Sequence, residues 1–306
     1  MRLPACDQTA DWNPESAWAA IRQLQALRGV PEAAAVAFDL TPHAVQSIAA
    51  ATPLHPERIR VFADGRWRST TPLSEPVAQM FDLYLPLACC LPGRRLVIAH
   101  LGQSLDGRIA PAEGCSAGLT GPENYDHMHR LRALVDAVVV GAATVRADDP
   151  QLTVRRVPGR HPARVVIDTD ARLDGRFRML ADGAAPVVYC RADDTAPNPH
   201  LPSHVVQITV RRGTGGLDLA NLLDVLAARG WSRVLVEGGG VTVSRFLDQG
   251  CLDRLQITVA PVLLGAGHLG IDLPEGLSQT CRRPAGKRYL QGCDVLFDLD
   301  VSGQRA

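Results

Sequence analysis

The chain has 306 residues, with 32 Lys+Arg balanced by 32 Asp+Glu and 46% hydrophobic residues. It carries no charge excess that would recruit nucleic acid or an acidic membrane, and it has apolar content enough for a sizeable core. Only one basic residue is a lysine, Lys287, so any lysine Schiff-base or P-loop chemistry would have to use that residue.

The amino-terminal stretch MRLPACDQTADWNPESAW lacks the apolar centre of a secretion signal, and no segment reaches the ~18 apolar residues of a membrane span. The eight cysteines include no CxxC pair and read as reduced, packed thiols of a cytoplasmic protein. Residues 15–28 carry the apolar period of an amphipathic helix, started near Asn13-Pro14 and ended by Gly29 and Pro31. IRVFADGRWRS reads as two strand edges around an Asp64-Gly65 turn. Pro86, Pro92 and Gly93 interrupt the chain and place a boundary near residue 94, dividing a small α+β region (1–94) from a second domain (95–306).

From residue 95 onward β-branched runs alternate with helical periods. Strands are expected at 96–101, 137–141, 164–169, 186–190, 204–208 and 233–238, followed by strand segments in 252–263 and 293–301. The runs at 137, 164, 186 and 233 are too continuously apolar for a one-sided sheet and predict burial on both faces. Helices fit at 122–135, 218–229 and 241–249. The alternation predicts an α/β fold with a mixed, mostly parallel sheet flanked by helices, and the alternating run 293–301 reads as an antiparallel edge.

Three segments carry chemistry. In VLVEGGGVTVSRFL a buried strand runs into Glu237-Gly238-Gly239-Gly240 and then a helix, an arrangement that lets a phosphate approach the N–H groups of a helix start. Glu237 ends a parallel strand, where α/β proteins bind ligands. GAATVRADDPQLTVR (141–155) sets Thr144, Asp148 and Arg155 on a loop after a second buried strand. SLDGRIA and the TGPE-to-HRLRA helix bring Arg132. His127 and His129 lie two apart, point to different sides of that helix and make a poor metal pair, and no metal site is expected. Read blandly, Thr144 and Asp148 are helix caps, Arg155 a solvated charge and the glycines a tight turn.

Together with RVVID and LDRLQITVAPVLLG, these motifs resemble the carboxy-terminal reductase domain of the bifunctional riboflavin-biosynthesis deaminase/reductase, over about residues 95–300. The resemblance implies a dihydrofolate-reductase-like fold, a homodimer and NADPH-dependent reduction of the ribosyl group of a phosphorylated aminopyrimidine to ribityl. It places Gly102, Thr144, Asp148 and the stretch Gly239, Gly240, Val241, Thr242, Val243, Ser244 and Arg245 against the dinucleotide. It places Ser116, Arg132, Leu152, Arg155 and Glu237 against the substrate, with the two arginines on its 5′-phosphate. Thr169 and Arg191, after two of the strands, are candidates for the 2′-phosphate.

Two positions depart from the family pattern. His100 stands where the family has a lysine, and Gly118 where it has a tryptophan. An imidazole titrates near neutrality and would donate a proton in its charged form, which makes His100 a candidate catalytic residue beside Glu237. The opened volume at Gly118 keeps a pterin, a folate-like compound or another heterocycle as an alternative substrate. A non-catalytic nucleotide-binding or partner-interaction protein is the alternative from another class. Upstream, His55-Pro56-Glu57 with adjacent Cys89-Cys90 lacks the spacing of a deaminase zinc site, so residues 1–94 read as a different attachment.

Overall fold

The computed structural model describes residues 12–27, 36–49, 54–55, 58–89, 94–112, 118–273 and 283–304. The chain forms two compact units, Met1–Arg94 and Arg95–Ala306.

In the first unit, helix α1 (Pro14–Ala26) starts where its capping chemistry dictates. The Asn13 side chain accepts from the Ser16 N–H at 2.8 Å, Ser16 Oγ accepts from the Asn13 N–H at 3.1 Å, and Pro14 opens the first turn. Four antiparallel strands follow, β1 (Val36–Leu40), β2 (Val45–Ala49), β3 (Ile59–Val61) and β4 (Trp67–Ser69), in the order β2-β1-β3-β4. The Asp64-Gly65 turn joins β3 to β4 with Gly65 at φ +81, which a Cβ would strain. Helix α2 (Glu75–Ala88) then packs on α1 through an edge-to-face contact of Trp18 with Tyr84. Pro86, expected with Pro92 and Gly93 to interrupt the chain ahead of residue 94, lies inside α2. Near the carboxyl end of a helix a missing N–H costs a single bond. Of the residues weighed as a zinc motif, His55 and Cys89 are described, whereas Pro56, Glu57 and Cys90 lie outside the described residues.

The second unit is built on a nine-stranded sheet. In chain order it runs β5 (Leu96–Ser104), β6 (Arg108–Pro111), α3 (Pro122–Leu134), β7 (Ala137–Gly141), α4 (Ala142–Asp148), β8 (Ala163–Ile167), α5 (Arg178–Ala181), β9 (Val187–Ala192) and β10 (Val206–Val210). The short pair β11 (Arg212–Gly213) and β12 (Gly216–Leu217) leads to α6 (Leu219–Ala227), β13 (Arg233–Glu237), α7 (Gly240–Asp248), β14 (Arg254–Ala260), β15 (Gly267–Leu269), β16 (Gly286–Gln291) and β17 (Asp294–Asp300). The sheet order is β10-β9-β8-β7-β13-β5-β14-β17-β16. Every pair from β10 to β14 is parallel, and β17 runs antiparallel to both β14 and β16.

This is the mixed, mostly parallel, helix-flanked sheet the patterning predicts. All residues of β7, β8 and β13 are buried, as continuous apolar strands covered on both faces must be. The expected edge is corrected: β17 is internal, and the edge is β16, whose GKRYLQ lacks the alternation that marks a strand. Each parallel crossover returns the chain to the same side, so β5, β7, β8 and β13 all deliver their carboxyl ends to one rim.

Candidate active site

The carboxyl ends of β5, β7 and β13 open on a cleft of about 460 Å³. It brings together His100 and Gly102 from β5, Asn124, Met128 and Arg132 from α3, Thr144 and Asp148 from α4, Pro150 and Leu152 from the following loop, and Glu237 with Gly238 and Gly239 from the end of β13. The three α3 residues fall at i, i+4 and i+8, one face of a helix.

At its floor is a bidentate ion pair. Arg132 Nε donates to Glu237 Oε1 and Nη2 to Oε2, both at 2.6 Å, while Nη1 donates to the Thr153 carbonyl at 3.1 Å. Both residues are almost fully buried, at 7% and 5% exposure, so the pair must be fully matched to exist there. Three of the five N–H donors of Arg132 are engaged by Glu237 and Thr153, which fixes the guanidinium in the cleft lining and leaves two N–H groups for a ligand. Each Glu237 oxygen retains capacity to accept one further hydrogen bond.

His100 pairs in register with Glu237 across β5 and β13 and is buried. Its Nε2 lies 3.0 Å from Asn124 Oδ1 and 3.3 Å from Thr258 Oγ1. Asn124 Oδ1 also accepts from Thr258 Oγ1 at 2.8 Å, and Asn124 Nδ2 donates to Thr120 Oγ1 at 2.9 Å. An amide oxygen only accepts, so Nε2 carries the imidazole proton. Burial is the largest influence on the ring and pulls its pKa down to about 4, against the attraction of Glu237. The expectation of an imidazole that titrates near neutrality is corrected: His100 is neutral at pH 7.

The neighbouring histidines are neutral for the same reason. Burial is the largest influence on His127 and holds it well below its usual range, and its Nε2 lies 2.9 Å from Gln256 Oε1. Burial and the Arg132 guanidinium bring His129 to about 4, and its Nδ1 accepts from the Arg155 N–H at 2.9 Å. The two rings have different partners on different sides of α3, as their spacing predicts.

The other expected site residues separate into groups. At the start of α7 the Gly239 N–H donates to Thr144 Oγ1 at 2.9 Å, tying α4 to this turn. A Cβ on Gly239 would lie 3.2 Å from that hydroxyl, so the glycine leaves the backbone open at the cleft. The N–H groups of Gly240 and Val241 have no partner among the described residues, α7 has no side-chain cap, and Val241 is exposed. A helix start with open N–H groups beside a glycine-lined cleft fits an anionic cofactor segment such as a pyrophosphate.

Thr242 packs its side chain on Gly238 and Gly141. Val243 is in the core, Ser244 Oγ accepts from the Asp272 N–H at 2.8 Å, and Arg245 Nη2 donates to the Leu217 carbonyl at 2.8 Å. In this structure the three side chains are engaged within the protein, as successive residues of a helix do not all face one side.

Arg155 is exposed and gives Nη1 to Thr153 Oγ1 at 2.6 Å. The carbonyl of Thr169 accepts from Thr195 Oγ1 at 3.1 Å, and neither Thr169 nor Arg155 lines the cleft. Arg191 Nη1 donates to the Thr195 carbonyl, which binds this candidate for the 2′-phosphate to its own loop. Ser116 lies outside the described residues, and Gly118 has φ +81 with no atom within 4 Å of a Cβ placed on it.

Residues 95–284 match the RibD C-terminal domain. The chain belongs to this family. The 2,5-diamino-6-ribosylamino-4(3H)-pyrimidinone 5′-phosphate reductase of Methanothermobacter thermautotrophicus is 35% identical, over 69% of this chain and 100% of its own length. The riboflavin biosynthesis protein RibD of Escherichia coli is 31% identical over 61% of this chain but only 54% of its own length. This RibD C-terminal domain chain thus spans the archaeal reductase entirely and about half of the RibD protein. Among solved structures, the Thermotoga maritima deaminase/5-amino-6-(5-phosphoribosylamino)uracil reductase superposes with a TM-score of 0.59 at 26% identity, covering 74% of this chain and 61% of that one.

Sequence reasoning missed Asn124, Thr258 and the Thr153 carbonyl. The spacing of Asn124 from Arg132 by two helical turns was a legible signal. The backbone carbonyl left none.

Proposed function

We propose that this chain is an NADPH-dependent reductase of the riboflavin pathway, acting on a phosphorylated ribosylaminopyrimidine of the 5-amino-6-(5-phosphoribosylamino)uracil type. The observation that carries the reading is a cleft lined by the Arg132-held carboxylate of Glu237 together with Gly238 and Gly239, the turn that leads into the open helix start of α7. The family and the full-length likeness to an archaeal reductase agree with it.

Gly102, Thr144, Asp148, Gly239, Gly240 and Val241 would hold the cofactor, which when bound supplies the hydride that reduces C1′ of the ribose. Glu237, fixed by Arg132, accepts hydrogen bonds from ribose hydroxyls or the pyrimidine amine. Leu152 packs beside them, and Arg155, with donors left after its bond to Thr153, takes the 5′-phosphate. His100 keeps its proton on Nε2 and orients Asn124, so the reaction's proton comes from solvent.

The protein would act as a homodimer: Leu290 on β16 is 71% exposed and Phe297 on β17 is 37% exposed, apolar surface at one end of the sheet. The described cysteines, Cys89, Cys190, Cys251 and Cys293, are thiols outside any disulfide, which suits the reducing cytoplasm.

The test is NADPH oxidation with the phosphorylated aminopyrimidine, its dephosphorylated form and a dihydropterin. Turnover of the phosphorylated compound is expected, with Arg155→Ala raising KM about tenfold or more and leaving kcat within threefold. Preference for the dihydropterin would move the substrate to the heterocycle class. NADPH binding without turnover of any compound would favour the non-catalytic reading.

A further inference from the structure

The loop from Asp149 to Arg155 walls one side of the cleft, and its backbone is anchored at successive residues. The Gln151 carbonyl accepts from buried Arg164 at 3.3 Å and the Thr153 carbonyl from Arg132 at 3.1 Å. The Val154 N–H donates to His161 Nδ1 at 3.2 Å and the Arg155 N–H to His129 Nδ1 at 2.9 Å. Within it two residues with side chains adopt the left-handed region, Asp149 at φ 40 and Leu152 at φ 54, on either side of Pro150. Such a conformation persists in a non-glycine residue only when its surroundings hold it there.

For Asp149, which caps the carboxyl end of α4 with its N–H on the Val145 carbonyl, those surroundings otherwise centre on one residue. Arg178, the first of α5, donates its backbone N–H to Asp149 Oδ1 at 2.7 Å and Nε to Oδ2 at 3.2 Å. It also donates to the Asp149 carbonyl, Nε at 2.9 Å and Nη2 at 2.5 Å. The two side chains are 56% and 41% exposed, and an ion pair that open to water adds little to global stability. Four bonds on one residue instead fix its φ and the plane of the peptide that leads into Pro150. Arg178 itself lines no part of the cleft, whereas Asp148, Pro150 and Leu152 all do.

We propose that Arg178 is a positioning residue of the reductase site, holding Asp149 in its left-handed turn so that Asp148, Pro150 and Leu152 form the cleft wall. The proposal rests on the reading of this cleft as the cofactor and substrate site. It also specifies that lysine cannot replace Arg178, because an ammonium lacks the planar fork that reaches carboxylate and carbonyl together.

The full chain gives two independent readouts. Hydrogen exchange without ligand follows the Asp149 amide, which bonds the Val145 carbonyl at 3.1 Å. Arg178→Ala is expected to speed its exchange at least tenfold while β7 and β13 keep their protection, and unchanged exchange at Asp149 overturns the clamp. Titration with NADPH is expected to give a Kd raised about fivefold or more in both Arg178→Ala and Arg178→Lys, at an unchanged melting temperature. Because glycine adopts positive φ freely, Arg178→Ala combined with Asp149→Gly is expected to return Kd to within threefold of the parent. Equal Kd in parent and Arg178→Ala, or no recovery in the double variant, overturns the positioning role. If the parent binds no NADPH, the cofactor reading fails, and exchange at Asp149 alone decides the clamp.

Discussion

His100, His127 and His129 have pKa values pushed down by burial, to about 4 for His100 and His129 and well below the usual range for His127. In the unfolded chain a histidine titrates near 6.5, so below that pH the unfolded state binds protons that the folded state refuses. The sign follows directly: stability is full above about pH 6.5 and falls as the pH drops toward 4, by up to about 1.4 kcal/mol per pH unit for each histidine. Urea unfolding between pH 7 and 4 checks this, and His100→Asn is expected to make the slope shallower. Arg132 and Glu237 set a second expectation. Removing one member of a buried pair strands the other charge, so Arg132→Met or Glu237→Gln is expected to cost about 3–5 kcal/mol, while Arg132→Met with Glu237→Leu costs less than either alone. Urea midpoints at constant slope measure it. Residue identity could not reveal this pairing. The sequence shows an arginine on a helix and a glutamate over a hundred residues later, and only the sheet order sets β13 beside β5 and β7 and so beneath α3.

The glycine run after β13 shows why an element is harder to read than a strand. Its pattern marks a strand, a turn and a helix start correctly, but the reasons for its glycines differ one by one. A Cβ on Gly240 would lie 2.0 Å from the Leu269 carbonyl, so that glycine is required by packing within the protein. A Cβ on Gly238 would meet Thr242 at 3.1 Å, whereas on Gly239 it would meet only Thr144 Oγ1, at 3.2 Å, and Ile109, at 4.0 Å. Gly240→Ala is therefore expected to destabilise the protein by about 3 kcal/mol or more, since backbone would have to move. Gly239→Ala is expected to fold with a nearly unchanged melting temperature but to bind NADPH about tenfold more weakly. Calorimetry and a cofactor titration separate the two. The apolar strands and capped helices were legible because burial on two faces and a helix start each leave a periodic or local mark. Strand β16 and helix α2 were not: β16 is an edge whose residues meet solvent, and α2 carries a proline that reads as a break.

At the scale of the whole molecule, the two units have different claims on function. Every group in the cleft, from His100 to Glu237, belongs to the unit Arg95–Ala306. That unit holds its own core, with Val97, Ala99, Val139, Val165 and Val236 of the sheet buried in one cluster with Leu222 of α6 and Phe246 of α7. The archaeal reductase, matched over its full length, has no counterpart to some 30% of this chain, since the match covers 69% of it. The first unit likewise has a core of its own, with Trp18, Ile21, Phe38, Leu40, Val61 and Phe81 buried. A domain with an independent core folds without its neighbour when the boundary cuts few contacts. Residues 95–306 expressed alone are therefore expected to fold cooperatively, to run in light scattering at twice their mass and to reduce the phosphorylated aminopyrimidine with kcat and KM within about threefold of the full chain. A cooperative fold with a large loss in kcat would assign residues 1–94 a part in the reaction that the cleft does not show, and a monomer would assign them to assembly.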